Sequence, residues 1–165
     1  MKNLILIALL SLFVSCDQSS KKASEETVEV KGDTIVEEAS TKSIEEDLKK
    51  KGYQTFSYKE GDTTYLMQQY YMVFLKSGPT RSQDSTEAAE LQKKHMAHLE
   101  RMATEGYTSL TGPMGDDGDL RGIVVFNTAT QAEADSLANL DPMVKAGRLK
   151  VEIHPWWAAK GGKLK

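Results

Sequence analysis

Two uninterrupted apolar runs place the strongest constraint on how this chain folds. Tyr70 to Leu75 and Gly122 to Phe126 contain no charged residue and are rich in β-branched and aromatic side chains. Such runs are typical of strands that are covered on both faces. Two further strands are predicted, a short one from Tyr107 to Thr111 and an alternating one from Lys150 to Pro155. We therefore expect the two apolar runs at the centre of a sheet and these two strands at its edges.

Two helices are predicted between these strands. The first begins at Asp84 or Ser85 and ends at Gly106, and the second begins at Thr130 and runs to about Leu140. The order is strand, helix, strand, strand, helix, strand, which is the ferredoxin-like βαββαβ pattern. The sequence therefore predicts an α+β fold with an antiparallel sheet and two helices on one face, because both connections are right-handed.

The other face of this sheet is predicted to be apolar, with no segment of the chain covering it. A second copy of the chain is the natural cover, so we expect a homodimer that packs through the sheet face. Trp156 and Trp157 are expected to pack at this interface, with ligand stacking as the alternative. His154 lies beside them and is expected to have a packing or interface role.

The N-terminus has the pattern of a targeting signal. Lys2 precedes an apolar stretch from Leu4 to Val14, which is too short for a bilayer-spanning helix of about 20 residues. Residues 13–16, Phe-Val-Ser-Cys, resemble the lipobox of bacterial lipoproteins, although Phe13 stands where leucine is usual. The chain has one cysteine, Cys16. It is the predicted lipid attachment site, and an ordinary secretory signal with an incidental cysteine is the alternative.

The predicted organisation follows from this signal. Residues 1–15 form a lipoprotein signal peptide, and residues 16–60 form a lipid-anchored flexible tether rich in Ser, Thr, Glu and Lys. The tether holds a candidate short helix from Ile44 to Lys51 and a candidate hairpin at Glu60 to Asp62. The folded domain is expected over 64–158, with a tail at 159–165. We expect the protein on a membrane of the bacterial cell envelope, at its periplasmic or outer-membrane face.

Composition and motifs exclude several kinds of function. The net charge is −3 and no basic stripe is present, which argues against a nucleic-acid partner. No glycine-rich phosphate loop is present, and we predict no cofactor. A metal site is not predicted either, because His95 and His98 lack a third ligand at convincing spacing. The loop from Gly115 to Asp119 lacks the alternation and terminal glutamate of a calcium loop.

His95 is the polar exception on the apolar face of the first helix, which it shares with Leu91, Leu99 and Met102. Two interpretations stay open at this point. His95 is either a core histidine that needs one hydrogen bond, or an acid or base near neutral pH. His98, at the flank of this face, is expected at the surface.

Asp141 continues the buried face of the second helix by one turn. An Asp-Pro pair is typical of a helix N-cap followed by the first helical position, and capping alone would justify this residue. The alternative is a carboxylate at the mouth of a cleft that orients His95 or accepts a proton from a substrate. His95 and Asp141 are therefore the predicted catalytic residues.

The ordered combination of these segments resembles the YCII family (YCII-related domain). The segments that carry the resemblance are His95 to Met102, Leu110 to Pro113, Asp141 to Gly147 and Val151 to Trp156. The resemblance covers about Tyr70 to Trp157 and implies the dimeric α/β-barrel form of the ferredoxin-like fold. It also implies a histidine–aspartate site at His95 and Asp141. Family members often carry arginine three residues before the histidine, and Gln92 at that position implies a different ligand or none.

Two hypotheses for function follow. The first is a cofactor-independent enzyme that acts on an unknown small molecule by isomerisation, lyase or hydrolytic chemistry. In it, Asp141 fixes the tautomer of His95 and His95 moves a proton. The second is a non-catalytic ligand-binding or assembly module of the cell envelope. The first hypothesis requires that the two side chains lie within reach of each other in the folded protein.

Overall fold

The computed structural model describes residues 33–164, and side chains from residue 40 onward. The predicted signal peptide and the Cys16 lipid site lie outside the described residues. The elements follow in chain order as α1 (Asp33–Lys50), β1 (Thr55–Glu60), β2 (Thr63–Ser77), α2 (Ser85–Thr104), β3 (Thr108–Pro113), β4 (Leu120–Phe126), α3 (Gln131–Ala138), α4 (Pro142–Lys145) and β5 (Leu149–Ala159). In the part of the chain from 33 to 164, no helix is long and apolar enough to span a bilayer.

The strands of this region form one open antiparallel sheet around β2 and β4. These two strands pair at the centre, with Tyr71 opposite Phe126. β3 pairs with β4 at one edge, and β5 pairs with the other side of β2 from Met67 to Ser77. The resulting order, β5-β2-β4-β3, confirms the predicted ferredoxin-like fold, with the two apolar runs in the central strands.

The hydrophobic core lies between this sheet and the helices α2, α3 and α4. Side chains alternate along β2, so that odd-numbered residues of its second half point toward these helices. The buried apolar residues that join the two layers are Tyr71, Val73, Leu75, Met102, Val124, Phe126, Ala134, Ala138, Met143 and Leu149. Their packing fixes one face of α2 against the sheet, and this is the face that carries His95.

Both ends of α2 are set by local signals in the sequence. Asp84 caps the start by accepting a hydrogen bond from the Glu87 backbone nitrogen at 2.9 Å. The helix ends at Gly106, whose φ of 79° is favourable for glycine. The Tyr107 nitrogen then donates to the Met102 carbonyl at 2.9 Å, which completes a Schellman motif. The predicted start and end of this helix are confirmed.

α1 extends well beyond the helix predicted from Ile44 to Lys51. It begins at Asp33, so the predicted tether is helical from Asp33 to Lys50. Residues 37–39, Glu-Glu-Ala, are good helix formers, and an existing helix gains one hydrogen bond for each residue added. The polarity of this stretch indicates a flexible tether, but its helix propensity is the property that decides its structure.

The hairpin predicted at Glu60 to Asp62 joins β1 to β2, and it extends the sheet next to the end of β4. Ser57 of β1 donates to Glu45 of α1 at 2.6 Å. Ser57 pairs with Leu66 of β2, whose side chain shares the face of Tyr70 and not that of Tyr71. α1 therefore contacts the face of the sheet opposite to α2.

The remainder of this opposite face carries both apolar and polar side chains. It presents Met72 and Phe74 from β2, and Glu152, His154 and Trp156 from β5; Trp156 is 41% exposed. Our expectation that no segment of the chain covers this face was wrong at one end, because α1 lies there. Lys160 also reaches over the Tyr70 ring at 5.9 Å from its centroid. Both contacts lie at the Leu66 end of β2, and the face stays open beyond them.

Candidate functional site

A cavity of about 480 Å³ opens between α2 and one end of the sheet. At this end β2 finishes and β4 and β5 begin, because both of these strands run antiparallel to β2. Residues from each neighbouring element line the cavity, including Leu75, Arg81, Gln92, His95, Gly112, Pro113, Arg121, Met143 and Arg148. Gly112 and Pro113, which belong to a segment that carries the family resemblance, therefore line the same cavity as His95.

The structure brings His95 and Asp141 into direct contact at this cavity. The Nδ1 atom of His95 and the Oδ2 atom of Asp141 are 2.5 Å apart. His95 is 8% exposed and Asp141 is 2% exposed. A short contact between groups this well buried restricts the imidazole ring to one orientation, since a charge-assisted hydrogen bond strengthens in a low-dielectric environment.

Asp141 also caps α4, as its sequence pattern predicts. Its Oδ1 atom accepts a hydrogen bond from the Met143 backbone nitrogen at 2.8 Å, and Pro142 stands at the start of the helix. The capping and pairing interpretations of Asp141 are thus compatible, because each uses a different carboxylate oxygen. The cap fixes the carboxylate, and the fixed carboxylate in turn holds His95.

The tautomer of His95 follows from these contacts. A carboxylate only accepts hydrogen bonds, so the Nδ1 atom of His95 carries the hydrogen that it shares with Asp141. In the neutral imidazole, Nε2 then has a free lone pair. Nε2 forms no hydrogen bond with any residue that the structure describes, and His95 lines the cavity. The available nitrogen is therefore suited to accept a proton from a bound molecule.

His98 is buried, and the prediction that it lies at the surface was wrong. It is 7% exposed, because α4 packs against α2 on the side that carries this residue. Burial lowers the pKa of His98 below its ordinary value of 6.5, with smaller contributions from Arg101, His95 and Lys145, while Asp141 opposes the shift. Arg101 donates to Nδ1 of His98 at 3.5 Å. His98 is thus a neutral neighbour of the pair near pH 7.

Three arginines that sequence analysis did not single out also line the cavity. Arg81 follows the end of β2, Arg121 lies at the start of β4, and Arg148 precedes β5. No local spacing relates these three positions. The predicted antiparallel order of the strands was the one signal that could have found them, because it brings all three positions to the same end of the sheet.

The other residues singled out from the sequence lie away from the cavity. The exposed His154 side chain contacts Glu152 at 2.9 Å and stands beside Phe74. Trp156 packs near Tyr70 on the open face. Trp157 packs against Phe56 of the hairpin, with ring centroids 5.0 Å apart. The two tryptophans therefore belong to different faces of the sheet.

No group of three or more His, Cys, Asp or Glu residues suited to a metal ion occurs within residues 33–164. In the loop from Gly115 to Asp119, the Asp117 carboxylate is fully exposed and lies 3.9 Å from Arg121. Asp119 lies 3.7 Å from Lys76. These carboxylates therefore face solvent or a cation of the chain, and do not converge on one point.

Comparison with known proteins gives one family and a distant structural likeness. No curated protein matches the chain. Solved structures that resemble it include 5-chloro-2-hydroxyhydroquinone dehydrochlorinase (TftG) from Burkholderia phenoliruptrix AC1100, in complex with 2,5-dihydroxybenzoquinone. That likeness has 21% sequence identity and a TM-score of 0.40, and covers 53% of this chain and 92% of the other. The YCII-related domain matches residues 69–157, a range that runs from β2 to β5 and includes His95 and Asp141. This chain belongs to the YCII-related domain family.

Proposed function

We propose that this protein is a cofactor-independent enzyme that acts on a small molecule, with His95 and Asp141 as an acid–base pair. The observation that supports this most strongly is the 2.5 Å contact between His95 Nδ1 and Asp141 Oδ2 at the wall of the cavity. A histidine that only satisfied a core hydrogen bond would not need to line an open cavity.

The chemistry would proceed through the Nε2 atom of His95. Neutral His95 takes a proton from a carbon or oxygen of the substrate or, in a hydrolysis, from the attacking water, and the positive charge that forms on the ring faces the Asp141 carboxylate. His95 then returns the proton to another atom of the substrate or to a leaving group. Isomerisation, elimination and hydrolysis each fit this sequence, because each needs only a proton acceptor that later becomes a proton donor.

A comparison of variants on mixed substrates tests this proposal. The full chain and its His95→Gln and Asp141→Asn variants are incubated with a small-molecule extract of bacterial cells, and the products are followed by mass spectrometry. Asparagine is a good N-cap, so Asp141→Asn keeps the start of α4. Asp84→Asn is the matched control, because it makes the same change at a helix cap outside the cavity.

We expect the wild type and Asp84→Asn to convert at least one compound, and both cavity variants to lose about 10²- to 10⁴-fold of that rate. Nitrogen chemical shifts of His95 provide a second measurement. They should report hydrogen on Nδ1 in the wild type and on Nε2 in Asp141→Asn, where an amide replaces one carboxylate oxygen. If the folded variants convert every compound as the wild type does, the protein is a non-catalytic binding or assembly module.

We also propose that the enzyme is a lipoprotein of the bacterial cell envelope, anchored through Cys16 after removal of residues 1–15. The support is the pattern of Lys2, the apolar stretch and the small residues before Cys16. Cys16→Ala should abolish labelling by a fatty-acid analogue and release the protein from the membrane fraction. Ser15→Ala keeps a small residue before the cysteine and should retain the label; labelling of Cys16→Ala would contradict the anchor.

The partner that we propose is a second copy of the chain, docked on the open part of the sheet face. Met72, Phe74 and Trp156 form an apolar patch there, which favours an interface. α1 and Lys160 limit this patch at one end, so the interface would centre on β2 and β5 beyond them.

A further inference from the structure

We infer that the cavity beside His95 binds a small organic anion, whose carboxylate or phosphate oxygens are held by Arg81, Arg121 and Arg148. This inference rests on the proposed function, because it names the substrate class of the same site. The three arginines lie on three separate segments, yet all of them line one cavity of about 480 Å³. That volume suits a molecule of the size of a substituted aromatic acid.

The charge of the cavity wall has one sign. No aspartate or glutamate is among the residues that line it, and its titratable side chains are the three arginines and His95. Neither Arg81 nor Arg148 forms an ion pair with a residue from 40 to 164. Arg121 approaches Asp117 at 3.9 Å, but that carboxylate is fully exposed, and such a pair contributes little. The wall therefore holds positive charge that the protein does not neutralise.

Neutral acceptors keep these guanidinium groups in position. Arg148 donates to the Gln83 side-chain oxygen at 3.0 Å, and Arg81 donates to the Arg148 carbonyl at 3.5 Å. Arg121 donates to the Gly118 carbonyl at 3.1 Å. Each guanidinium has five N–H donors, so most of them remain available to a ligand. A planar fork of donors held in this way matches the two oxygens of a carboxylate or phosphate.

The backbone joins two of these arginines to each other. The Gly78 nitrogen donates to the Arg148 carbonyl at 2.9 Å, and the Thr80 nitrogen donates to the Gly147 carbonyl at 3.0 Å. The segment that carries Arg81 is therefore fixed on the segment that carries Arg148. A site that is already assembled before binding loses less conformational entropy when the ligand enters.

Binding of matched probes to the full chain tests this inference. Benzoate and benzamide have nearly the same shape and differ in charge, and inorganic phosphate is the third probe. Dissociation constants are measured by ligand-observed NMR at low ionic strength, for the wild type and for Arg121→Gln and Arg148→Gln. Arg101→Gln is the matched control, because Arg101 lies on α2 outside the cavity and its loss changes the net charge equally.

We expect benzoate to bind at least about tenfold more tightly than benzamide, and phosphate to displace it. Each cavity variant should weaken benzoate binding by about fivefold or more and leave benzamide unchanged, while Arg101→Gln should behave as the wild type. Arg121→Lys and Arg148→Lys keep the positive charge and should retain part of the preference for benzoate over benzamide. These two variants distinguish the loss of the charge from the loss of a structural contact made by the arginine. Equal binding of benzoate and benzamide, or an equal effect of Arg101→Gln, would overturn the inference.

The same measurements separate this inference from the proposed function. If His95→Gln retains arginine-dependent benzoate binding, and no compound is turned over by the wild type, the anion site stands and the acid–base proposal fails. If turnover depends on His95 while benzoate and benzamide bind equally, the acid–base proposal stands and the anion site fails.

Discussion

Asp141 binds His95 with one carboxylate oxygen and the first turn of α4 with the other, at 2.5 Å and 2.8 Å. One side chain therefore fixes the conformation of a loop and the orientation of an imidazole on another helix. The relationship means that the start of α4 and the orientation of the His95 ring depend on the same carboxylate.

Removal of the Asp141 carboxylate should destabilise the protein more than removal of an ordinary helix cap. Asp141→Ala loses the cap of α4, worth about 1 kcal/mol, and leaves the His95 N–H without a partner, at a further cost of about 1–3 kcal/mol. Asp84→Ala removes the same residue type from the cap of α2 and should cost about 1 kcal/mol. Urea unfolding of both variants measures the difference, and equal losses would show that the bond to His95 adds no stability.

The stability of the protein should fall as pH decreases below 6.5 because of His98. Burial lowers its pKa in the folded state, with Arg101, His95 and Lys145 acting in the same direction and Asp141 against it. The unfolded chain then binds a proton more readily than the folded one, so the free energy of unfolding decreases between pH 6.5 and the lowered folded-state pKa.

His98→Asn provides the comparison, because its side-chain oxygen can still accept from Arg101 while it carries no titratable group. The free energy of unfolding of the variant should depend less on pH over this window than that of the wild type. Parallel curves for the two proteins would mean that His98 does not link folding to protons.

A side chain at Gly78 should disrupt the contact between the two segments that carry Arg81 and Arg148. A Cβ atom there would lie 2.1 Å from the Gly147 carbonyl oxygen, and backbone on both sides leaves little room for adjustment. Gly78→Ala should therefore cost about 1–3 kcal/mol. Gly112→Ala, where a Cβ meets no atom within 4 Å, should stay within about 0.5 kcal/mol of the wild type in thermal unfolding. Equal stability of the two variants would contradict the close packing.

If the proposed dimer forms, a charged side chain introduced on the open sheet face should weaken it, and one introduced elsewhere on the surface should not. Trp156→Glu places a carboxylate on the open sheet face and should shift the protein toward monomer in analytical ultracentrifugation, since an unpaired buried charge is costly. Leu140 is similarly exposed but precedes α4, among the helices of the other face. Leu140→Glu should leave the oligomeric state unchanged, and a wild type that is monomeric at all concentrations would exclude this dimer.

Local patterns in the sequence were enough to predict the fold and to identify His95 and Asp141 as candidate site residues. His95 was found because it interrupts an apolar face with a period of 3.6 residues, and Asp141 because Asp-Pro marks a helix start. The burial of His98 was missed, since it depends on α4, which lies more than 40 residues farther along the chain. Periodicity within α2 carries no information about that neighbour.

The arginines of the cavity wall could not be predicted from local sequence patterns either. Arg81, Arg121 and Arg148 meet only because three strand ends share one end of the sheet, so no window of sequence contains the signal. The position of α1 on the open face was missed for a related reason. It involves contacts of α1 with β1 and β2, among them the hydrogen bond between Ser57 and Glu45, and neither residue has a pattern that indicates the other.

The double use of Asp141 also affects how relatives of this protein should be judged. Selection for a well-folded domain would keep an aspartate before Pro142 for the cap of α4 alone. His95 caps no helix. Under the acid–base proposal, a homologue that retains the aspartate but has replaced the histidine would keep the fold and lack the proton acceptor, so the histidine is the residue by which members with that chemistry would be sorted.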